Sequence, residues 1–243
     1  MNKEFTAVIP LESNPDVFDK FAYNLGLLKS YSFNDIFSID DPSLLDFLPR
    51  PMVAIVLLFP IQKIRPTPPT HEDSLKVNPP IWLKQNFQNA CGLYALLHIL
   101  INNPHLLQKG SPLAEYINTN DTTSLKQQNI DQFIIDYTNK FTHDFNHSSG
   151  ETTNPNPTDQ IDLHFISFIS HNGQLWEMDG RSQESKPLCL GKVEENNQNS
   201  QDGEVDLIDQ PIIFQRIKSY MDNVHCENDK LNFSLLGLSR SWD

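Results

Sequence analysis

One continuous apolar run limits what this chain can fold into. Residues 52–59, Met-Val-Ala-Ile-Val-Leu-Leu-Phe, lie between Pro51 and Pro60. A run of this length that contains Val and Ile predicts a strand buried on both faces. Other layers must therefore cover its sheet on both sides, and a chain of 243 residues is long enough to bury such a core.

The predicted helices and strands are unevenly distributed along the chain. Hydrophobic spacing and end signals predict helices at residues 15–25, 42–48, 90–103, 112–119, 123–141 and 208–223. Strands are predicted at residues 6–9, 31–39, 52–59, 161–170, 174–178 and 231–238. Five of these six helices precede residue 142 and three of the six strands follow it, and this partial segregation predicts a single α+β domain over residues 1–243.

Three stretches carry signals of surface segments. Residues 60–80 contain six prolines and predict an extended segment. Residues 142–160 contain one large apolar side chain, Phe145, and predict a long exposed loop, which in a compact domain is usually functional or disordered. A second loop is predicted at residues 192–205, which are rich in Glu, Asn, Gln and Asp.

The charge and the cysteine content exclude several classes of function. The chain carries 18 Lys and Arg against 31 Asp and Glu, a net charge of −13, which disfavours nucleic acid as a partner. A basic partner fits better, although plain solubility also explains the charge. No apolar run approaches the length of a membrane span. Three cysteines indicate a reducing compartment, so a cytoplasmic location is expected.

Cys91 is the strongest candidate for a chemically active residue. It follows Asn89, a predicted N-cap, and therefore lies in the first turn of a predicted helix. The free N–H groups and the dipole at a helix start favour a thiolate. Gly92 next to it would let a substrate backbone come close. The alternative is a small buried apolar residue that happens to begin a helix.

A cysteine nucleophile needs a base, and His164 is the best candidate. His98 lies two helical turns after Cys91, roughly 10 Å away, which is too far for proton transfer. His164 lies instead on the first strand of a hairpin whose turn contains Asn172-Gly173. Asp179 ends the second strand. In either register that the turn allows, both side chains share one face of the sheet, so Asp179 could orient the imidazole. The alternative is two unrelated surface polar residues.

Gln85 is a candidate oxyanion donor. It lies six residues before Cys91, in the loop that leads to the helix. A side-chain amide at this place, together with the Cys91 N–H, could bind a tetrahedral oxyanion. A Gln near a Cys is weak evidence alone, and it gains weight beside the helix-start thiol and the hairpin pair.

These residues and their order resemble the ubiquitin C-terminal hydrolase family, papain-like cysteine deubiquitinases. The matching segments are residues 10–15, 48–51 before the apolar run, Gln85 with Cys91-Gly92, residues 164–166 and residues 177–181. The 15-residue spacing from His164 to Asp179 also agrees with the family. Leu93-Tyr94 departs from the smaller residues common there.

The resemblance implies a two-lobed papain-like fold with a knotted backbone. It implies that Cys91 is the nucleophile, His164 the base, Asp179 its orienting group and Gln85 the oxyanion donor. Residues 142–160 would be the crossover loop under which the substrate tail passes. Pro10, Leu11 and Glu12 match a segment that the family places near the ubiquitin tail.

The expected activity is hydrolysis of small adducts after the terminal glycine of ubiquitin, through an acyl-enzyme on Cys91. The resemblance implies ubiquitin as partner, a monomer, and no metal or organic cofactor. Two alternatives stay open: a transglutaminase-like or N-acetyltransferase-like acyltransferase, and a non-catalytic ubiquitin-binding module. The Gln85 spacing argues against the first, and the complete Cys-His-Asp set argues against the second.

Overall fold

The computed structural model describes residues 7–8, 10–61, 66–67, 78–119, 127–146, 161–194, 204–224 and 226–241. Within them the helices are α1 (Pro15–Leu25), α2 (Pro42–Asp46), α3 (Cys91–Asn102), α4 (Pro112–Thr119), α5 (Gln127–Asn146), α6 (Pro211–Asp222) and α7 (Glu227–Lys230). The strands are β1 (Tyr31–Asp35), β2 (Met52–Pro60), β3 (Leu163–His171), β4 (Gln174–Met178), β5 (Leu188–Lys192) and β6 (Ser234–Arg240). None of the helices described is both long and apolar enough to cross a membrane.

The strands form one antiparallel sheet in the order β1-β6-β2-β3-β4-β5. Every residue of β2 except Leu58 is buried, which confirms the prediction from the apolar run. Successive side chains of a strand point to opposite faces. Ala54 and Val56 accordingly join the core cluster of α1, α3 and α5. Ile55 and Leu57 join a second cluster with α6, so helices cover both faces and the α+β prediction is confirmed.

Several element ends follow the predicted local signals. The side chain of Asn14 accepts a hydrogen bond from the Asp16 N–H and caps α1, with Pro15 at the first helical position. Gly26 ends α1 with a left-handed φ of 119°. A Cβ atom there would lie 2.0 Å from the Ser111 Oγ, so the position requires glycine for space as well as for conformation.

The predicted loop at residues 142–160 begins too early. Helix α5 continues through residues 142–146, because apolar residues at 130, 134, 137, 141 and 145 keep one helical spacing. Residues 147–160 lie outside the described residues, as do most of the proline-rich stretch and residues 195–203 of the second loop. The crossover loop and the knotted path of the chain therefore stay predictions.

Other differences concern short elements. The strand predicted at 31–39 ends at Asp35, and the last strand covers 234–240 rather than 231–238. The helix predicted from 208 begins at Pro211, after a 3₁₀ turn at Leu207–Asp209. Strand β5 and helix α7 were not predicted. Of the strand predicted at 6–9, the described part forms an isolated bridge in which the Val8 N–H donates to the Gln88 carbonyl, 3.0 Å.

The β3–β4 hairpin has the predicted register in which Asn172 and Gly173 are the two central residues of the turn. Asn172 and Gly173 form the turn, with φ values of 51° and 72°. His171 pairs with Gln174, and Ser167 pairs with Met178. Strand β4 ends at Met178, so the first residues of β3 have no β4 partner. Phe165, in this part of β3, lies close enough to Cys91 at the start of α3 for its backbone N–H to act on the thiol.

Candidate active site

Cys91 is the first residue of α3, as predicted, but its cap differs from the prediction. Ala90 occupies the N-cap position with no side-chain hydrogen bond to the helix. Asn89 has a left-handed φ of 59° and is therefore not the N-cap that the sequence suggested. The first amides of the helix are left for another acceptor. The backbone N–H groups of Cys91 and Gly92 act to lower the pKa of the Cys91 thiol, as free amides at a helix start do.

The Cys91 thiol lies against strand β3. The backbone N–H of Phe165 and the positive charge of Arg181 each act to lower the pKa of the thiol. Burial is the stronger influence, because only 7% of Cys91 is exposed, and the net effect is a raised thiol pKa. The helix start alone thus does not produce a thiolate, and removal of the proton requires a base.

His164 and Asp179 are brought together, which confirms the predicted contact. The His164 Nε2 lies 2.7 Å from the Asp179 Oδ1, and both side chains are buried. The same carboxylate oxygen accepts a hydrogen bond from the Arg181 N–H at 2.8 Å. A carboxylate accepts only, so Nε2 carries the proton toward it and Nδ1 of the neutral ring presents a lone pair.

Buried residues pack next to this pair. The Phe59 ring meets the His164 ring edge-on, with centroids 5.7 Å apart, and it also packs on Tyr220. Glu177 pairs with Arg216, whose Nε lies 2.6 Å from a carboxylate oxygen. The sequence singled out Glu177 but missed Arg216. The sequence feature that could have indicated Arg216 was a cation on the otherwise apolar face of α6.

Gln85 contacts both the residue after Asp179 and the loop that precedes α3. Its backbone N–H donates to the Gly180 carbonyl at 2.8 Å, and its side-chain Nε2 donates to the Phe87 carbonyl at 2.9 Å. A Cβ atom on Gly180 would lie 3.1 Å from the Gln85 Cβ, so glycine permits this close approach. One hydrogen of the Nε2 amide is thus committed to Phe87.

The segment Pro10–Glu12 reaches the start of α3, and its expected place near the ubiquitin tail stays a prediction. A Cβ atom on Gly92 would lie 3.0 Å from the Leu11 Cβ. Gly92 was expected to leave room for a substrate backbone. The Leu11 side chain takes that room in this structure, and Pro10 and Glu12 on either side are partly buried.

A helix-start thiol beside an imidazole–carboxylate pair on an antiparallel sheet defines the class of papain-like cysteine hydrolases. Within that class the chain belongs to the ubiquitin carboxyl-terminal hydrolases. The family model described as ubiquitin carboxyl-terminal hydrolase, family 1, matches residues 8–212. Gln85, Cys91, His164 and Asp179 all lie in that range.

Individual relatives agree with this assignment. The chain is 42% identical over 248 residues to ubiquitin carboxyl-terminal hydrolase YUH1 of Saccharomyces cerevisiae, covering 100% of both. It is 28% identical over 179 residues to isozyme L1 of Homo sapiens, covering 71% of this chain and 78% of that protein. The fold is similar to the UCH37 catalytic domain of Trichinella spiralis bound to ubiquitin vinyl methyl ester, with a TM-score of 0.71 at 16% identity over 96% of this chain and 95% of that chain.

Proposed function

We propose that this chain is a thiol-dependent ubiquitin C-terminal hydrolase that cleaves ester, thioester, amide and short peptide adducts after the terminal glycine of ubiquitin. Cys91 is the nucleophile and His164 is the base and acid. Asp179 orients His164, and Gln85 supplies an oxyanion donor. The observation that supports these roles most is the buried contact between the His164 Nε2 and the Asp179 Oδ1, which lie 2.7 Å apart.

The reaction begins with proton transfer from the Cys91 thiol to the His164 Nδ1. The thiolate then attacks the carbonyl carbon of the terminal glycine. The Cys91 N–H and the free hydrogen of the Gln85 Nε2 stabilise the oxyanion. The protonated His164 gives its proton to the leaving amine, alcohol or thiol. It then takes a proton from water, which attacks the thioester and releases ubiquitin and Cys91.

Ubiquitin as partner is supported by the family and by the relative that binds ubiquitin vinyl methyl ester. Ubiquitin has a basic face, and the net charge of −13 suits its attraction. Pro10, Leu11 and Glu12 are proposed to contact the ubiquitin tail, since Leu11 lies beside the residue that follows Cys91. The protein is proposed to act as a cytoplasmic monomer and not to bind nucleic acid.

Two reagents test the proposal on the whole chain. Ubiquitin with a C-terminal vinyl methyl ester should label Cys91, and a ubiquitin amide with a fluorogenic leaving group should be turned over. Binding without labelling would favour a non-catalytic ubiquitin-binding module. Absence of both binding and labelling would favour an acyltransferase with other substrates.

A further inference from the structure

Helix α3 carries three polar side chains on one face. Tyr94, His98 and Asn102 are four residues apart in a helix that is otherwise almost wholly apolar. Residues at this spacing lie one above the other along a helix. Tyr94 and His98 are buried, so their polar atoms require partners inside the protein.

Each of the three side chains has a partner in the extended stretch at residues 81–86, which we name the anchored segment. Asn102 accepts from the Ile81 N–H at 2.7 Å and donates to the Ile81 carbonyl at 2.9 Å. The His98 Nε2 lies 3.0 Å from the Leu83 nitrogen and 3.1 Å from the Leu83 oxygen. The Tyr94 hydroxyl accepts from the N–H of the last residue of the segment at 3.2 Å. The segment therefore runs antiparallel to α3.

Asp131 of α5 binds the end of the anchored segment that lies next to Gln85. It accepts a hydrogen bond from the Asn86 side chain at 2.7 Å and one from the Tyr94 hydroxyl at 3.4 Å. Tyr94 is thus fixed between a carboxylate and the backbone next to Gln85. It is also one of the two residues by which the sequence departs from the smaller side chains common in the family.

The opposite side of the anchored segment contacts the end of β4. The Trp82 Nε1 donates to the Asp179 carbonyl at 2.8 Å, and the Gln85 N–H donates to the Gly180 carbonyl at the same distance. The segment is consequently the connection between the helix that begins at Cys91 and the strand end that carries Asp179.

We infer that Tyr94, His98 and Asn102 are positioning residues, which fix the anchored segment and thereby place Gln85 relative to Cys91. This inference rests on the proposed function. Burial lowers the pKa of His98 to about 4, so the imidazole is neutral and does not titrate where a thiol hydrolase works.

The first test removes a single oxygen atom. Tyr94→Phe should lower kcat on a ubiquitin amide substrate by about 10- to 100-fold through misplacement of Gln85, with KM almost unchanged. Tyr137→Phe is the matched control, because that buried hydroxyl donates to the Phe21 carbonyl at 3.0 Å, away from the segment. The control should keep its kcat even if both variants unfold at a lower temperature.

A double-variant cycle separates positioning from stability. Gln85→Ala alone should lower kcat by roughly 10²- to 10³-fold. If Tyr94 acts through Gln85, Tyr94→Phe with Gln85→Ala should stay within about threefold of Gln85→Ala alone. Full additivity of the two losses, or a lower melting temperature with unchanged kcat in Tyr94→Phe, would overturn the inference.

A second position gives an independent check. His98→Leu should lower kcat more than His98→Gln, because the glutamine amide can replace the one hydrogen bond that the neutral His98 Nε2 forms with the Leu83 backbone. Equal kcat values in the two folded His98 variants would contradict positioning by this side chain. If His98→Leu does not fold, the double-variant cycle of Tyr94→Phe with Gln85→Ala decides. Failure of the proposed function is distinct from all of these outcomes, since the unmodified protein would then neither turn over nor be labelled.

Discussion

The two sides of the candidate site hold their residues by different means. On the sheet side, His164 is paired with Phe59 of β2, and Asp179 directly follows β4, whose ladder with β3 ends at Met178, so that backbone pairing next to both residues holds them in place. On the helix side, Gln85 belongs to a coil that side chains of α3 hold. A backbone ladder keeps its geometry when one side chain is changed, whereas a coil held by side chains does not. Substitutions on the sheet side should therefore remove a catalytic group without moving the others. Substitutions on the helix side should instead move a catalytic group that is still present.

The largest effect is expected at Cys91. Cys91→Ala should abolish hydrolysis, a loss of roughly 10⁴-fold or more, and ubiquitin binding should persist because the sulfur adds little contact area. Cys189→Ser is the matched control, since that thiol is buried on β5 and donates to Gln174 at 3.5 Å. Turnover is measured with a fluorogenic ubiquitin amide. Measurable turnover by the Cys91→Ala variant would refute the assignment of Cys91 as the nucleophile.

Asp179→Asn tests the sheet side directly. The ladder should keep the strand end in place, while the neutral amide loses the negative charge that stabilises a protonated imidazole and can turn an N–H toward the ring. Activity should fall by about 10²- to 10⁴-fold with a small change in KM. Glu184→Gln, an exposed residue of the following turn, should behave as the unmodified protein. A kcat equal to that of this control would show that His164 needs no orienting carboxylate.

Arg216→Met asks whether the ladder or the buried ion pair holds the sheet side. The change leaves the Glu177 charge buried without its partner and should cost about 3–5 kcal/mol of unfolding free energy. Glu177→Gln with Arg216→Met should recover part of that loss. Urea unfolding measures the stability. If the folded Arg216→Met variant also lost most of its kcat, the ladder alone would not suffice, and the contrast between the two sides would fail.

The smallest effect concerns a junction between helix and sheet. Asp19 of α1 accepts a hydrogen bond from the Phe33 N–H of β1 at 2.7 Å, and burial raises its pKa to about 6. The native state then holds a proton that the unfolded chain has lost above pH 4 or so. The contribution of this group is fully present at low pH and is lost as the pH rises through about 6.

Asp19→Asn should remove that part of the pH dependence, because the amide oxygen keeps an acceptor without titrating. Melting temperatures between pH 4 and 7 measure the effect, and Asp46→Asn on the exposed surface of α2 is the control. An identical pH profile for Asp19→Asn and the unmodified protein would show that Asp19 does not titrate in this range.

The two sides also differ in how far the sequence predicted them. The hairpin was predictable because Asn172-Gly173 fixes the turn and strand periodicity then fixes the face of His164. The start of α3 at Cys91 was predictable from the apolar run, but its cap was not, since Asn89 takes a left-handed conformation. The spacing of the polar residues on α3 predicts that they share one helix face, but it does not predict which backbone segment packs on that face. That partner depends on contacts between distant segments.

The position of β2 in the sheet also bears on how the chain is made. Its partners are β3 and β6, and β6 begins about 170 residues after β2 ends. At synthesis rates of about 5–20 residues per second, the ribosome needs roughly 10–35 s to deliver that strand. Until then β1 has no partner and one edge of β2 stays open. The nascent protein must therefore keep its most apolar strand from associating with other chains while the last strand of its sheet is still being translated.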